Sequence, residues 1–227
     1  MNLLLTAATS AEIQPAMNFI QENFTQKGEG SFQEGSFELK VLISGVGILS
    51  TSHSLTRFFA RHSCDLAIQA GIAGSFRPDI PIGEVVEVER EILGDLGVQD
   101  GDQFLDLFDI HLMEQGQFPF TDKFLWNKGI HHPKFPPFRK VNSITVNQVS
   151  GRESTIRIWE EKYHPDLETM EGAAFHFVCL QEEIHFLQIR SISNEVRVRD
   201  KSKWDIPLAI TQLNLHLIEM IRCLCAR

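Results

Sequence analysis

Six short β-like runs, separated by segments of helical pattern, constrain this chain more than any other feature. They are NLLLTAA from Asn2, ELKVLISGVG from Glu38, LAIQAGIAG from Leu66, GEVVEVERE from Gly83, VNSITVN from Val141 and HFLQIRSIS from His185. Several are continuously apolar, which suits strands covered on both faces. Helical patterns fall between them over 10–24, 48–62 and 172–182. In the last of these, Ala173, Ala174, Phe177 and Val178 follow helical spacing. The closing segment places Ile210, Leu213, Leu217, Ile221 and Leu224 on one stripe. Pro207 sits where a first helical turn tolerates proline. The alternation predicts an α/β chain in three layers, helices on both faces of a sheet. No linker or internal repeat divides it, so a single domain over 1–227 is expected, long enough for one large core.

Charge and cysteines exclude several classes. A formal net charge of -9 argues against a nucleic-acid partner, which selects a basic face, although one local basic pocket stays possible. The four cysteines, Cys64, Cys179, Cys223 and Cys225, form no CxxC pair, and no histidine completes a zinc spacing. They read as thiols of a reducing compartment. His131 and His132 are adjacent and belong to no HExxH motif, and there is no GxSxG elbow. The apolar run at Asn2 is short and lacks a basic flank, so it reads as a strand, not a signal peptide. No run approaches the ~18 apolar residues of a membrane span. A cytoplasmic protein with no membrane partner is expected.

Chemistry is concentrated in a few stretches. SGVG (44–47) and AGIAGSF (70–76) place small residues where strands end. Glycine there lets backbone N–H groups approach a ligand, and open α/β sheets collect ligands beyond their carboxyl ends. Neither stretch is a P-loop or a GxGxxG, and tight turns account for glycines as well. RSISN (190–194) ends an apolar strand; its asparagine offers an acceptor and two donors, or simply caps a turn. Glu12, just past the first strand, either activates water or sits in a helical first turn. LETMEGAAF (167–175) carries Glu168 and Glu171 at the edge of a greasy run. A carboxylate buried there without partners costs several kcal/mol. The stretch 116–140 holds four of the nine prolines and is rich in phenylalanine. It reads as a binding loop, a subunit interface or an excursion packed by its own aromatics.

Taken together, SGVG, AGIAG, IPIGEVVEV, LETMEGAAF and RSISN, in this order, resemble the nucleoside phosphorylase and nucleosidase superfamily over most of the chain. The resemblance implies a central mixed sheet and a nucleoside substrate. It implies three catalytic residues: Glu12 activating the attacking water, Glu171 accepting from the ribose hydroxyls, and Asn194 holding the base. Met170 would pack on the sugar, Arg190 and Ser193 would support Glu12 and the base site, and Gly74 would line it. Val146 falls where that family stacks a phenylalanine on the base, a departure. Adenine-specific members carry Asp at the position of Asn194. An amide can accept from a protonated N7 and donate to a 6-oxo group, so the resemblance points to hypoxanthine or guanine.

The trailing RVRD…WxIP (197–207) is similar to members that release hypoxanthine from a nucleoside of menaquinone biosynthesis, one with a benzoate-like carboxylate on its 5′ side. Lys134, Arg139, Arg197 and Arg199 are the candidate cations for that carboxylate. The loop 118–138 would cover its ring, and a homo-oligomer is implied. The glycine loops lack the arginines that phosphorylases place around phosphate. Glu12 would repel phosphate by about 1–4 kcal/mol, which favours water as nucleophile. An adenine-directed nucleosidase (methylthioadenosine or adenosylhomocysteine), a purine nucleoside phosphorylase and a non-catalytic nucleoside-binding protein on the same fold are the alternatives. No cofactor or metal is implied. Glu168 is expected to be a strand-end or surface residue without a role.

Overall fold

Each of the six apolar runs becomes a strand, and the residues between them supply helices and shorter strands. The computed structural model describes residues 1–128, 135, 137–198 and 200–225. In chain order the elements are β1 (Asn2–Ala7), α1 (Gln14–Asn23), β2 (Thr25–Gly28), β3 (Ser31–Glu34), β4 (Phe37–Ile43), α2 (Gly47–Phe59), β5 (Leu66–Ser75) and β6 (Val85–Leu93). Then come β7 (Gly97–Asp100), β8 (Gln103–Asp106), β9 (Phe120–Thr121), β10 (Phe124–Trp126), β11 (Arg139–Thr145), α3 (Glu153–Tyr163), β12 (Leu167–Thr169), α4 (Gly172–Gln181), β13 (Phe186–Glu195) and α5 (Ile206–Cys225).

The sheet is mixed. β4, β1, β5 and β13 are neighbours running parallel, so their carboxyl ends share one rim. β6 runs antiparallel to β13 and parallel to β11, which pairs parallel with β12; β12 returns antiparallel to β5. These pairings close a ring of five strands. Each strand sends apolar side chains into one shared cluster: Ala73, Val86 and Val88, Val141, Leu167, and Ile192. The ring is therefore packed with side chains, as small closed sheets are.

Alternation along β1 explains the layers. Leu3 and Leu5 face a cluster formed with α1 and α5, including Ile20, Leu213, Leu217 and Ile221. Leu4, between them, faces α2 and α4 through Leu55, Phe175 and Cys179. The three-layer expectation holds, and the α5 stripe holds too, with Leu213, Leu217 and Ile221 fully buried. By length and composition alone α5 would suffice to cross a membrane; here it is a core helix packed on α1 and the sheet.

α4 departs from a one-face pattern. Gly172, Ala173, Ala174, Phe175, His176, Val178 and Cys179 are all buried, whereas Phe177 is 38 % exposed. A helix that is apolar all round is an inner helix. α3 was hidden by its charged composition; only Ile156, Trp159 and Tyr163, at spacings of three and four, turn inward. Of the phenylalanine-rich stretch, β9 and β10 form a hairpin that adds to β6, with Phe120 buried and Phe118 64 % exposed. Phe138 packs beside the His216 ring. Lys134, Arg199, His131 and His132 lie outside the described residues.

Candidate active site

The parallel rim assembles the acids. Beyond β1 the chain makes a 3₁₀ turn, Ser10–Ile13, which buries Glu12. Its Oε2 accepts from the Thr9 N–H and the Thr9 hydroxyl, each at 2.9 Å, and its Oε1 accepts from the Ile72 N–H at 3.3 Å. Asn214 of α5 donates to the Glu12 carbonyl at 2.8 Å and accepts from the Ala16 N–H at 3.0 Å. The core helix thus fixes the turn that presents the acid.

Arg190 of β13 is only 1 % exposed, and its register partner on β5 is Gly71. A Cβ on Gly71 would collide with the Arg190 guanidinium and lie 3.0 Å from Glu12 Oε1. Glycine is therefore required at 71 to let the arginine and Glu12 converge there. A buried guanidinium needs partners. Nη2 donates to Gln69 Oε1 at 2.8 Å, and Nη1 lies 3.8 Å from Glu171 Oε2.

Glu171 stands at the start of α4, immediately after half-buried Met170. Its Oε1 accepts from the Gly47 N–H at 3.0 Å. Gly45 and Gly47 have φ of +83° and +87°, a backbone only glycine adopts cheaply, so SGVG is built to turn this N–H toward the carboxylate. Arg57, the first arginine after that loop, sits exposed in the last turn of α2.

Behind α4 lies an acid that the sequence reading missed. Glu91 is fully buried and accepts from Thr145 Oγ1 (2.9 Å), Thr169 Oγ1 (3.3 Å) and Gln188 Nε2 (2.9 Å). Thr145 in turn accepts from the Ala173 N–H at 2.7 Å, and a Cβ on Gly172 would collide with the Glu91 carboxylate. Glu91 therefore holds the first turn of α4 directly behind Glu171. Burial pushes its carboxyl up to about 7, against the opposing pull of Gln188, Arg190, Thr145 and Ser143. Little signal was available in the sequence, because Glu87, Glu89 and Glu91 alternate along β6 and only Glu91 is fully buried.

At the far end of the rim, Gly74 pairs with Glu168 of β12 on one side and Asn194 of β13 on the other. The single Ser193 hydroxyl proton faces Asn194 Oδ1 at 2.8 Å and the Ala73 carbonyl at 3.2 Å, the shorter contact being to Asn194, while Asn194 Nδ2 donates to the Glu195 carbonyl at 3.0 Å. Gly74, Val149, Ser150, Glu168, Asn194 and Trp204 line a cavity of about 330 Å³, within the size range of small-ligand sites.

Several expectations need correction. Val146 is fully buried in the cluster of Phe76, Trp159 and Tyr163, because β11 ends beside it and turns its side chain inward. The cavity is lined instead by Val149, Val196 and Val198. Glu168 is not a surface residue. It is buried, accepts from the Ser150 N–H at 2.9 Å and from the Ser150 hydroxyl, and burial raises its carboxyl above the usual range against those two donors. Of the proposed cations, Arg139 is paired with Asp79 and Glu84, each at 3.0 Å. Arg197 lines the cavity, 3.6 Å from Glu160 and 3.8 Å from Glu195.

Carboxylates and glycine turns gathered at the carboxyl ends of parallel strands mark an α/β chain of the class that places ligand sites there. Within that class the chain belongs to the phosphorylase superfamily, whose family model matches residues 3–222. It is 28% identical over 174 residues to a futalosine hydrolase of Thermus thermophilus, covering 76% of each protein. Its fold is similar to that of the 5′-methylthioadenosine/S-adenosylhomocysteine nucleosidase of Campylobacter jejuni, with a TM-score of 0.80 at 17% identity over 100% of both chains. It is similar also to a futalosine hydrolase of Helicobacter pylori, with a TM-score of 0.77 at 16% identity, covering 98% of this chain and 97% of that one.

Proposed function

We propose that this chain is a nucleoside N-glycosidase that hydrolyses the N-ribosidic bond of a 6-oxopurine nucleoside, with futalosine as substrate and hypoxanthine as the released base. The observation that carries the reading is the order of groups along one rim: Glu12 beside Gly71, Glu171 at the start of α4, and Asn194 beside Gly74. That order suits water, ribose and base. The likeness to the Thermus futalosine hydrolase supports the substrate.

Asn194 uses one Oδ1 lone pair on Ser193 and one N–H on the Glu195 carbonyl. One acceptor and one donor remain, matching a protonated N7 and O6 of a departing hypoxanthine. As the C1′–N9 bond loosens, the sugar takes on oxocarbenium character, and Glu171 stabilises it through the hydroxyls. Glu12 takes a proton from the water that attacks C1′. The Gly47 N–H already serves Glu171, and Glu12 and Glu171 make the rim unfavourable for a phosphate nucleophile.

Incubation with futalosine, inosine and methylthioadenosine, with and without inorganic phosphate, tests the reading. Hypoxanthine release from futalosine at a rate indifferent to phosphate is expected. Adenine as the preferred product, or a requirement for phosphate, would overturn it.

A further inference from the structure

Glu168 is one of three acids that line the cavity, with Glu195 and Asp200, and the proposed chemistry uses none of them. Glu168 and Asn194 flank Gly74 on adjacent strands, one on each side. Directly paired residues project from the same face of a sheet, and two inter-strand steps set their backbones about 10 Å apart. All three residues line the same cavity. Gly74 is thus the floor between two polar walls, and a Cβ there would press on Asn194 Nδ2 and the Val196 side chain.

The Glu168 wall has a definite polarity. Both donors of Ser150, its N–H and its hydroxyl, are spent on the Glu168 carboxylate, and Trp159 Nε1 donates to the same hydroxyl at 3.1 Å. Each carboxylate oxygen keeps a further lone pair. What this wall offers a ligand is therefore acceptors. A 6-oxopurine in its lactam form carries a hydrogen on N1; adenine presents a bare acceptor at N1.

We infer that Glu168 is a base-specificity residue that accepts a hydrogen bond from N1–H of a 6-oxopurine seated over Gly74, while Asn194 serves N7 and O6. The inference rests on the hydrolase reading for the identity of the base and adds a second determinant of it. The carboxylate selects against adenine twice, by repelling its N1 and by occupying the Ser150 N–H that could have donated to it.

Binding of hypoxanthine, 1-methylhypoxanthine and adenine, measured by calorimetry on wild type, Glu168→Ala and Glu168→Gln, tests this. Wild type should prefer hypoxanthine over its N1-methyl derivative by about 10- to 100-fold, the range for one hydrogen bond to a charged group. In Glu168→Ala that ratio should fall toward one and adenine should bind more tightly, because the Ser150 N–H is freed. If the alanine variant fails to fold, Glu168→Gln, which keeps an acceptor for Ser150, should still shift the hypoxanthine-to-adenine ratio. Equal ratios in wild type and folded variants would overturn the inference, since a purely structural role would leave discrimination unmoved. Base release from futalosine is scored separately. A wild type that cleaves futalosine while the ratios stay fixed loses only the Glu168 assignment. One that releases no hypoxanthine loses the hydrolase reading, and the binding ratios still judge Glu168.

Discussion

At the scale of single residues, Glu12 and Glu171 have different holders and different expected losses. Glu12 is kept in place by Thr9 and the Ile72 N–H, Glu171 by the Gly47 N–H and Arg190. Glu12→Gln keeps the shape but removes the proposed base, so kcat on futalosine should fall at least about 100-fold while KM changes little. A variant within a few-fold of wild type would remove Glu12 from the mechanism. Gly71→Ala drives a methyl into the Arg190 guanidinium, and overpacking of this kind costs about 1–3 kcal/mol, readable as a lower urea midpoint. The sequence pointed to Glu12, Glu171 and Asn194 through their motifs. It misjudged Glu168 and Val146, because neither burial nor a partner at Ser150 is written in LETMEGAAF or in ITVNQVSG.

Among elements, α4 shows how much rests on buried polar support. Glu91 binds its proton in the folded chain from its ordinary value of 4.5 up to about 7, so its contribution makes stability fall as pH rises through that window. His176 is held neutral by burial down to about 4 against an ordinary value of 6.5, with the Leu125 carbonyl and Gln188 opposing the shift. The unfolded imidazole takes a proton first, so this group makes stability rise with pH from about 4 to 6.5. The two slopes oppose each other where they overlap, and wild type should show little net change there. Glu91→Gln should leave the rising His176 slope, and His176→Asn the falling Glu91 slope. Denaturant melts across this pH range check it, and identical slopes in all three proteins would refute it. α5 gives a plainer expectation. Leu217 is fully buried against α1 and the sheet, so Leu217→Ala should cost about 2–5 kcal/mol in a urea melt. Periodicity made α5 legible, but it could not reveal α3, where three inward residues are diluted by charge, or the short β12.

For the whole molecule, the decisive fact is the closure of β5, β12, β11, β6 and β13 into a packed ring beside an open parallel rim. That closure sets Glu168 and Asn194 on either side of Gly74 and aligns Arg190 with Gly71. The acids Glu12 and Glu171 on that rim predict that adding inorganic phosphate leaves futalosine turnover unchanged; a saturable increase in rate would argue for phosphorolysis. The sequence by itself determined the six longest strands, most helices, their order and the residue types at the strand ends. These follow from period-two and period-3.6 burial and from glycine's backbone freedom, which are local. Only the tertiary structure decided which acids are buried, which residues hold them and which side chains meet the cavity. Those outcomes depend on register between strands far apart in the chain, and slipping that register by one residue would turn each side chain to the opposite face.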